Sequence, residues 1–448
     1  MSYYVYVGTL PQALHEQHNI YGKEIRVAPD EISITDSRAW KEVYTAKQEF
    51  PKDPRKIQYP PNGSHSILTG PREEHARFRR LLSHAFSDKG LREHEPRIKQ
   101  YVDLRVNRLS EQADGTTSVD IVDWYTCAVF DVIGELAWGE SFQGLEERRV
   151  HEWIPAILGN LKYITQSVIC REYGLSRLIP FFTDPALLEG RKKNFMLASQ
   201  LTKKRAAYGG EPRGDFWDQV LIKSEGDNAS GEGMSIAEMT NNAGVLVLGG
   251  AETSATTLRA ATYLLLKHPD VMERLLEENR TTFKTDDEIN VYSVARLPYM
   301  LAVIDETMRI FPAVPDQLQR IPPASGGIVL GKWIPENTAI HLCQYAMNHD
   351  STNFTYPHEF CPERWLPDAP EEFAHDDKQA FQPFVIGSWN CIGSNLAYAE
   401  MRLMLASVLF NFDIELDAER TGDWLDQKNY GAWFKKPLHV KLSTVQRT

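Results

Sequence analysis

An α-dominated fold with a small β portion is predicted by two features of the sequence. One is a capped, largely apolar helical run of roughly 30 residues in the middle of the chain, about 45 Å long at the helical rise. The other is helical patterning over most of the remainder, with strand-like patterning confined to three short stretches. In chain order, residues 20–34 carry a first pair of strand-like runs, and residues 71–86, 95–109, 119–138 and 190–207 read as helices. Two breaks rich in Gly and polar residues follow at 209–214 and 226–233. Ser235 and Glu238 then form an S-x-x-E capping box, with Met234 and Met239 spaced as a hydrophobic staple. The helix they open runs through Leu266 to His268-Pro269, and its middle, residues 243–251, is apolar on all sides, as a buried helix is. Pro298 suits the first position of another helix, which Phe311-Pro312 ends. Residues 328–342 read as a second strand pair with turns at Gly331-Lys332 and Pro335-Glu336-Asn337, and residues 437–442 read as a final strand.

The 448 residues give a length-based prior of about three domains. A central helix of this length argues instead for one large helical body, so residues 1–448 are expected to form a single domain. Composition is ordinary for a globular protein, with 42% hydrophobic and 25% charged residues, which excludes disordered, collagen-like and disulfide-framework classes. The net charge of −12 argues against nucleic acid as a partner, because phosphate binding needs a basic footprint. Five scattered cysteines, an odd number, fit a reducing compartment. No run approaches the 18 or so apolar residues a membrane span needs, and residues 1–10 lack the basic start of a signal peptide.

The segment Phe384-Val-Ile-Gly387-Ser-Trp389-Asn-Cys391-Ile-Gly393 carries the strongest chemical signal. Gly387 and Gly393 permit close backbone approach around one cysteine, and the chain then feeds into a helix. Free backbone N–H groups and the positive helix end favour a thiolate at Cys391. A thiolate presented in a loop that a flat cofactor can press against is what an axial haem-iron ligand requires. A buried structural cysteine is the bland alternative for such a residue. Three further segments tip the balance. Glu306-Thr-Met-Arg309 places a carboxylate and a guanidinium on one helix face. Gly249-Gly250-Ala251-Glu252-Thr253 puts two glycines mid-helix, each costing about 1 kcal/mol relative to Ala. His75-Ala-Arg-Phe-Arg79 offers an N–H donor and a cation.

With these four motifs in the family's order along the chain, the sequence resembles the cytochrome P450 family, from about Leu14 to the C-terminus, and in particular the microsomal-type members of fungal secondary metabolism. The resemblance implies that family's mainly α fold with its long central helix over the haem. It implies haem b, iron protoporphyrin IX, ligated by Cys391. Phe384, Gly387, Gly393 and Gly249 would flank it, and His75, Arg79 and Arg320 would anchor its propionates. Thr253 would hold a water and Glu252 relay protons. Glu306, Arg309 and a later arginine, Arg364, would form a buried structural set. The family usually has Arg or His where this chain has Trp389, whose indole donates one hydrogen bond but bears no charge. One propionate anchor is therefore expected to be weakened and the reduction potential altered.

The implied activity is a monooxygenase that hydroxylates or oxidatively couples a lipophilic small molecule, using O2 and electrons from NADPH through an NADPH-cytochrome reductase. A basic segment (Arg72, Arg77, Arg80, Lys89, Arg97 and Lys99) is the expected docking face for that acidic reductase. Residues 57–68, 160–166, 246–251, 313–318 and 429–433 are expected to line the pocket, with Asp316 and Gln317 adding polarity. A monomer is expected. Relatives of this kind begin with a membrane anchor, so the chain reads as truncated or naturally unanchored and soluble as given. A native anchor would place it on the cytosolic face of the endoplasmic reticulum. Two alternatives remain: a reductase-independent peroxygenase or rearranging enzyme of the same fold, against which Glu252-Thr253 argues, and a non-enzymatic haem-binding protein. A metal hydrolase is remote, because the chain has no HExxH or CxxC pair.

Overall fold

The computed structural model describes every residue except 47–48, 58, 61, 180–184, 225–232, 317–318 and 447–448. The predicted break at 226–233 falls almost wholly outside the described residues, as do Gln317 and Leu318 of the expected pocket lining. The principal elements in chain order begin with α1 (Leu10–Tyr21), β1 (Glu24–Ala28), β2 (Glu31–Ile34), α2 (Arg38–Tyr44), α3 (Arg72–Leu82) and α4 (Asp88–Ser110). Then come β3 (Asp114–Asp120), α5 (Ile121–Trp138), α6 (Trp153–Glu172), α7 (Pro185–Ala206) and α8 (Ile236–Val247). A π-helical turn at Leu248–Glu252 joins α8 to α9 (Thr253–Lys267), followed by α10 (Pro269–Thr282) and α11 (Pro298–Ile310). The chain ends with β4 (Gly327–Val329), β5 (Lys332–Ile334), β6 (Ala339–His341), α12 (Gln344–Asn348), α13 (Ser394–Asn411), β7 (Phe412–Leu416), β8 (Lys428–Asn429), β9 (Trp433–Phe434) and β10 (His439–Thr444). The architecture is mainly α with small sheets, as the sequence predicts.

The central rod begins where the sequence places it. Ser235 caps the Glu238 N–H while the Glu238 carboxylate reaches back to the Ser235 N–H at 2.8 Å. Met234 and Met239 are both buried. The rod is interrupted at the two glycines, and their surroundings explain why. A Cβ on Gly250 would lie 2.7 Å from Ile133 Cδ1 of α5, so only glycine allows that approach. A Cβ on Gly249 would meet nothing within 4 Å, because this side faces open space. The wider π turn is a common signature of functional helix positions.

Two helix starts shift for reasons the caps make plain, and one strand pairing differs. α4 starts at Asp88 rather than 95, because Ser87 caps it by accepting the Gly90 N–H at 3.1 Å and Pro96 is accommodated inside the helix. α5 starts at Ile121, capped by Asp120, because residues 114–120 pair as a strand. β6 does not complete a second local pair. It runs parallel to β2, giving the order β1-β2-β6, while β4 and β5 form their own hairpin. The final strand, β10, is the centre of a β3-β10-β7 sheet.

A large apolar cluster runs through α3, α4, α5, α8–α11 and α13. A second gathers Trp40, Tyr44, Phe50, Ile340 and Phe354 beside the small sheets. The loop before α13 lies between these two bodies, with Phe384 packed against the first and Val385, Ile386 and Trp389 against the second. Replacing Ser235 with Ala should speed amide exchange in the first turn of α8 about five-fold, the effect of a lost cap worth about 1 kcal/mol. Hydrogen-exchange mass spectrometry on that peptide would show it, and unchanged exchange would contradict the capping role.

Candidate active site

A cavity of about 810 Å³ occupies the interior, with an apolar lining. Cys391 contributes to its wall together with Phe384 and Trp389 from the same loop, and Gly249 and Thr253 reach it from the central rod. The cysteine loop is held by backbone geometry. The Cys391 N–H donates to the Phe384 carbonyl at 2.8 Å. Gly387 has φ +75°, and a Cβ there would lie 2.4 Å from the Tyr44 carbonyl oxygen. Val385 adopts φ +58°, a strained conformation for a β-branched residue. No sequence signal marks that strain, which the tight folding of the loop over α2 imposes.

Cys391 is accessible to the cavity yet deep within the protein. Burial pushes its thiol above the ordinary value, while the Gly393 N–H and the Arg79 charge pull it down. Burial outweighs the N–H groups and the helix end here, and a bound metal cation would favour the thiolate. Arg79 donates to the carbonyl and to Oδ1 of Asn390, both at 2.5 Å, so it clamps the residue before the cysteine.

His75, Trp389 and Arg320 come together beside the loop. The His75 and Trp389 rings lie 4.0 Å apart, and the Arg320 guanidinium sits 4.9 Å from the Trp389 ring centre. Burial, with Lys52, Arg79 and Arg320 nearby, lowers His75 to about 4, so its ring is neutral near pH 7. Nε and Nη1 of Arg320 are buried without a partner. Trp389 donates its indole N–H to Glu49 Oε1 at 2.6 Å. A buried collection of cations with orphaned donors is the environment two carboxylates would complete. With the accessible sulfur and the open face of Gly249, these residues fit a haem whose acid groups lie on the Trp389 side.

Thr253 lines the cavity and donates its hydroxyl to the Gly249 carbonyl at 2.6 Å. Glu252 does not line it. Its carboxylate turns away, is buried, and pairs with Lys435, with Thr256 Oγ1 3.5 Å away. Sequence reasoning missed Lys435, which lies 183 positions beyond Glu252 and has no motif around it.

Glu306, Arg309 and Arg364 are fully buried and joined. Arg309 makes two bonds to the Glu306 carboxylate at 2.9 and 2.8 Å, and Arg364 Nε makes a third at 3.2 Å. The Cys361 N–H and the Trp365 indole complete the carboxylate's shell at 2.9 and 2.8 Å. Burial pushes Glu306 up, but the two guanidiniums outweigh it and hold the group below its usual value. Arg309 also donates to the carbonyls of Asn348, Pro357 and Glu359. Gln344, beside Asn348 on α12, bonds the Ala380 carbonyl and the Gln382 N–H, which lead into the cysteine loop.

Each expected lining stretch reaches the cavity wall, for instance through Ile57, Leu161, Gly249, Val314 and Tyr430. Phe195 of α7 adds a wall the sequence did not indicate. Asp316 also lines it, but its carboxylate lies 3.8 Å from His341, which burial lowers and Asp316 and Glu31 raise to about 9. Five of the six bases of the expected docking face have acids beside them. Arg72 pairs with Glu49, Arg77 with Glu238, Arg97 with Glu135 and Lys99 with Asp103, while Lys89 lies 3.9 Å from Glu93. These acids come from the same helix and from other elements, which counting bases in one segment does not reveal. Among the described residues no helix is long and apolar enough to cross a membrane.

The cavity, cysteine loop and glycine-bearing helix define a haem-thiolate protein, and the chain belongs to the cytochrome P450 family, whose description matches residues 9–442. It is 45% identical over 444 residues to the versicolorin B desaturase of Dothistroma septosporum, covering 98% of this chain and 85% of that protein. It is 44% identical to the versicolorin B desaturase of Emericella nidulans, over 98% of this chain and 89% of that one. It is 43% identical to the averantin hydroxylase of Dothistroma septosporum, over 97% and 82%. The chain is a P450 monooxygenase of fungal secondary metabolism, a family that uses haem iron, reductase-supplied electrons and lipophilic substrates.

Glu306→Gln should destabilise the fold by about 3–5 kcal/mol, because two buried guanidiniums lose their counter-charge. Because the native carboxyl is depressed, Glu306 stabilises the wild type above its unfolded value of 4.5 and loses that contribution as pH falls. Acid-unfolding curves should therefore show the variant penalty at pH 7 shrinking toward low pH. A penalty under about 1 kcal/mol at pH 7 would place the network outside the stability of the fold.

Proposed function

We propose that this protein oxidises a C–H bond of a compound of the versicolorin B or averantin kind, by hydroxylation or desaturation. Residues 1–448 would act as one catalytic domain, with Cys391 as the iron ligand. The observation that carries the reading is the Cys391 sulfur opening into the same apolar cavity that Gly249 and Thr253 border. Relatives covering nearly the whole chain support the choice of substrate class. Haem, when bound, supplies the oxygen-activating iron. His75, Arg79 and Arg320 would hold its acid groups, with Phe384, Gly387, Trp389 and Gly393 shaping the loop beneath it. The chain's own residues do the rest. The apolar walls exclude water and seat the substrate, and Asn160, Thr165, Asn194 and Asn429 offer polar groups to its hydroxyls or carbonyls. Thr253 is the hydroxyl placed to hold a proton-carrying water at the reacting end, with its own proton parked on the Gly249 carbonyl. Glu252, paired with Lys435 behind the cavity wall, would relay protons from solvent toward Thr253.

Electrons would come from an NADPH-cytochrome reductase, and a protein with a native anchor would work at the cytosolic face of the endoplasmic reticulum. The purified protein with reductase and NADPH should convert versicolorin B or averantin to an oxidised product, and binding of either should shift the ferric spin state. Conversion supported by peroxide alone, with none from NADPH and reductase, would favour the peroxide-using alternative. Thr253→Ala should cut product formed per NADPH consumed by about ten-fold while NADPH consumption continues. Unchanged coupling would remove Thr253 from proton handling.

A further inference from the structure

Among the described residues, the apolar cavity wall carries Lys56, Glu172 and Asp316 as its acids and bases. Lys56 and Glu172 pair with each other. Asp316 stands apart, with its side chain 17% accessible and its Oδ1 making no hydrogen bond. A carboxylate in such a wall is costly unless something holds it. The fold supplies that support from behind. β6 places the buried His341 with Nδ1 3.8 Å from Asp316 Oδ1. Nε2 of the same ring lies 3.4 Å from Glu31 Oε2, on the strand β2 that β6 runs beside. Gln319, also in the wall, brings its side-chain amide to 3.1 Å from His341 Nδ1. The neighbouring backbone is fixed as well, because the Pro315 carbonyl accepts the Tyr345 N–H of α12 at 3.0 Å.

These groups form a row in which acids and bases alternate: Glu172, Lys56, Glu31, His341 and Asp316. Glu31 sits between both bases, with Lys56 at 2.6 Å. Burial raises Glu31, but His341 and Lys56 outweigh it and hold the group at about 2. Asp316 ends the row with one charged neighbour, at the longer distance. It is therefore an acceptor held in place but not used up. Its chemistry selects what completes it. A hydroxyl can donate a hydrogen bond to it without bringing charge into the apolar cavity. An ether has no proton to give, a second carboxylate is repelled, and an ammonium meets the imidazolium beside Asp316.

We infer that Asp316 is a specificity-determining residue of this chain, accepting a hydrogen bond from a hydroxyl of the substrate, with His341 and Gln319 as the residues that position it. The inference rests on the reading of this cavity as the substrate site and deepens it, since it names a group the substrate must carry. A substrate in which that hydroxyl is methylated leaves Asp316 desolvated and unpaired, which is where the discrimination comes from.

The test is equilibrium dialysis of the haem-loaded protein against probes of one shape: 4-phenylphenol, 4-methoxybiphenyl and biphenyl-4-carboxylate. The wild type should bind the phenol about ten-fold more tightly than its methyl ether, the scale of a hydrogen bond to a charged group, and should bind the carboxylate most weakly. Asp316→Asn should narrow the preference for phenol over ether to about three-fold or less, because a neutral acceptor replaces a charged one. The same variant should bind biphenyl-4-carboxylate more tightly than the wild type does, a gain that damage to the fold does not produce. Asp316→Ala should show the same narrowing. A wild type that binds the ether as tightly as the phenol would overturn the proposal. So would folded Asp316→Asn and Asp316→Ala variants that keep the full preference. A protein that shows the predicted preferences yet converts neither versicolorin B nor averantin would instead sink the proposed substrate class, so the two failures are distinguishable.

Discussion

A cysteine sulfur opening into an apolar cavity is the constraint on which this structure turns. Burial raises the Cys391 thiol, and the Gly393 N–H with the Arg79 charge only partly offset that rise. A lone thiolate at this depth is unfavourable without a metal cation to share its charge. The same logic explains the opposite imbalance nearby, where Lys52, Arg79 and Arg320 gather with few acids between them. On the proposed reading, a haem would bring a cationic iron to the one site and two carboxylates to the other.

Holding those two places in register requires rigidity far from the chemistry. The Glu306–Arg309–Arg364 set provides it by tying α11 to the carbonyls of 348–359, and Gln344 passes the constraint on to Ala380 and Gln382. From there the chain has only a short path to Val385 and Gly387, whose positive φ values fold the loop against α2. The strain at Val385 is tolerated because both ends of the loop are fixed. At the other end, Arg79 binds Asn390 and α13 begins directly after Gly393.

Much of this was legible wherever the signal is local. The Ser235–Glu238 box, the i,i+3 pair at Glu306 and Arg309, and the glycine-flanked cysteine all lie within a few residues of their partners. The glycines in the central rod were legible as needing a reason, and the structure divides it between Gly250, which admits Ile133, and Gly249, which faces the cavity. What the sequence could not show depends on long-range partners. β6 pairs with β2 across about 300 residues, Glu252 turns to Lys435, and the bases around α3 and α4 acquire acids, several of them from other elements. α4 begins earlier than the pattern suggested because Ser87 caps it, and the helix carries Pro96 in its interior. Lys52 sits in no motif at all and becomes visible only through its bridge to Arg320.

The claim that Cys391 ligates iron as a thiolate is tested most directly by the absorption spectrum of the reduced, carbon monoxide-bound protein. A strongly red-shifted Soret band that disappears in Cys391→Ala is the predicted result. An unshifted band in the wild type, or a shifted band that survives in the variant, would contradict it.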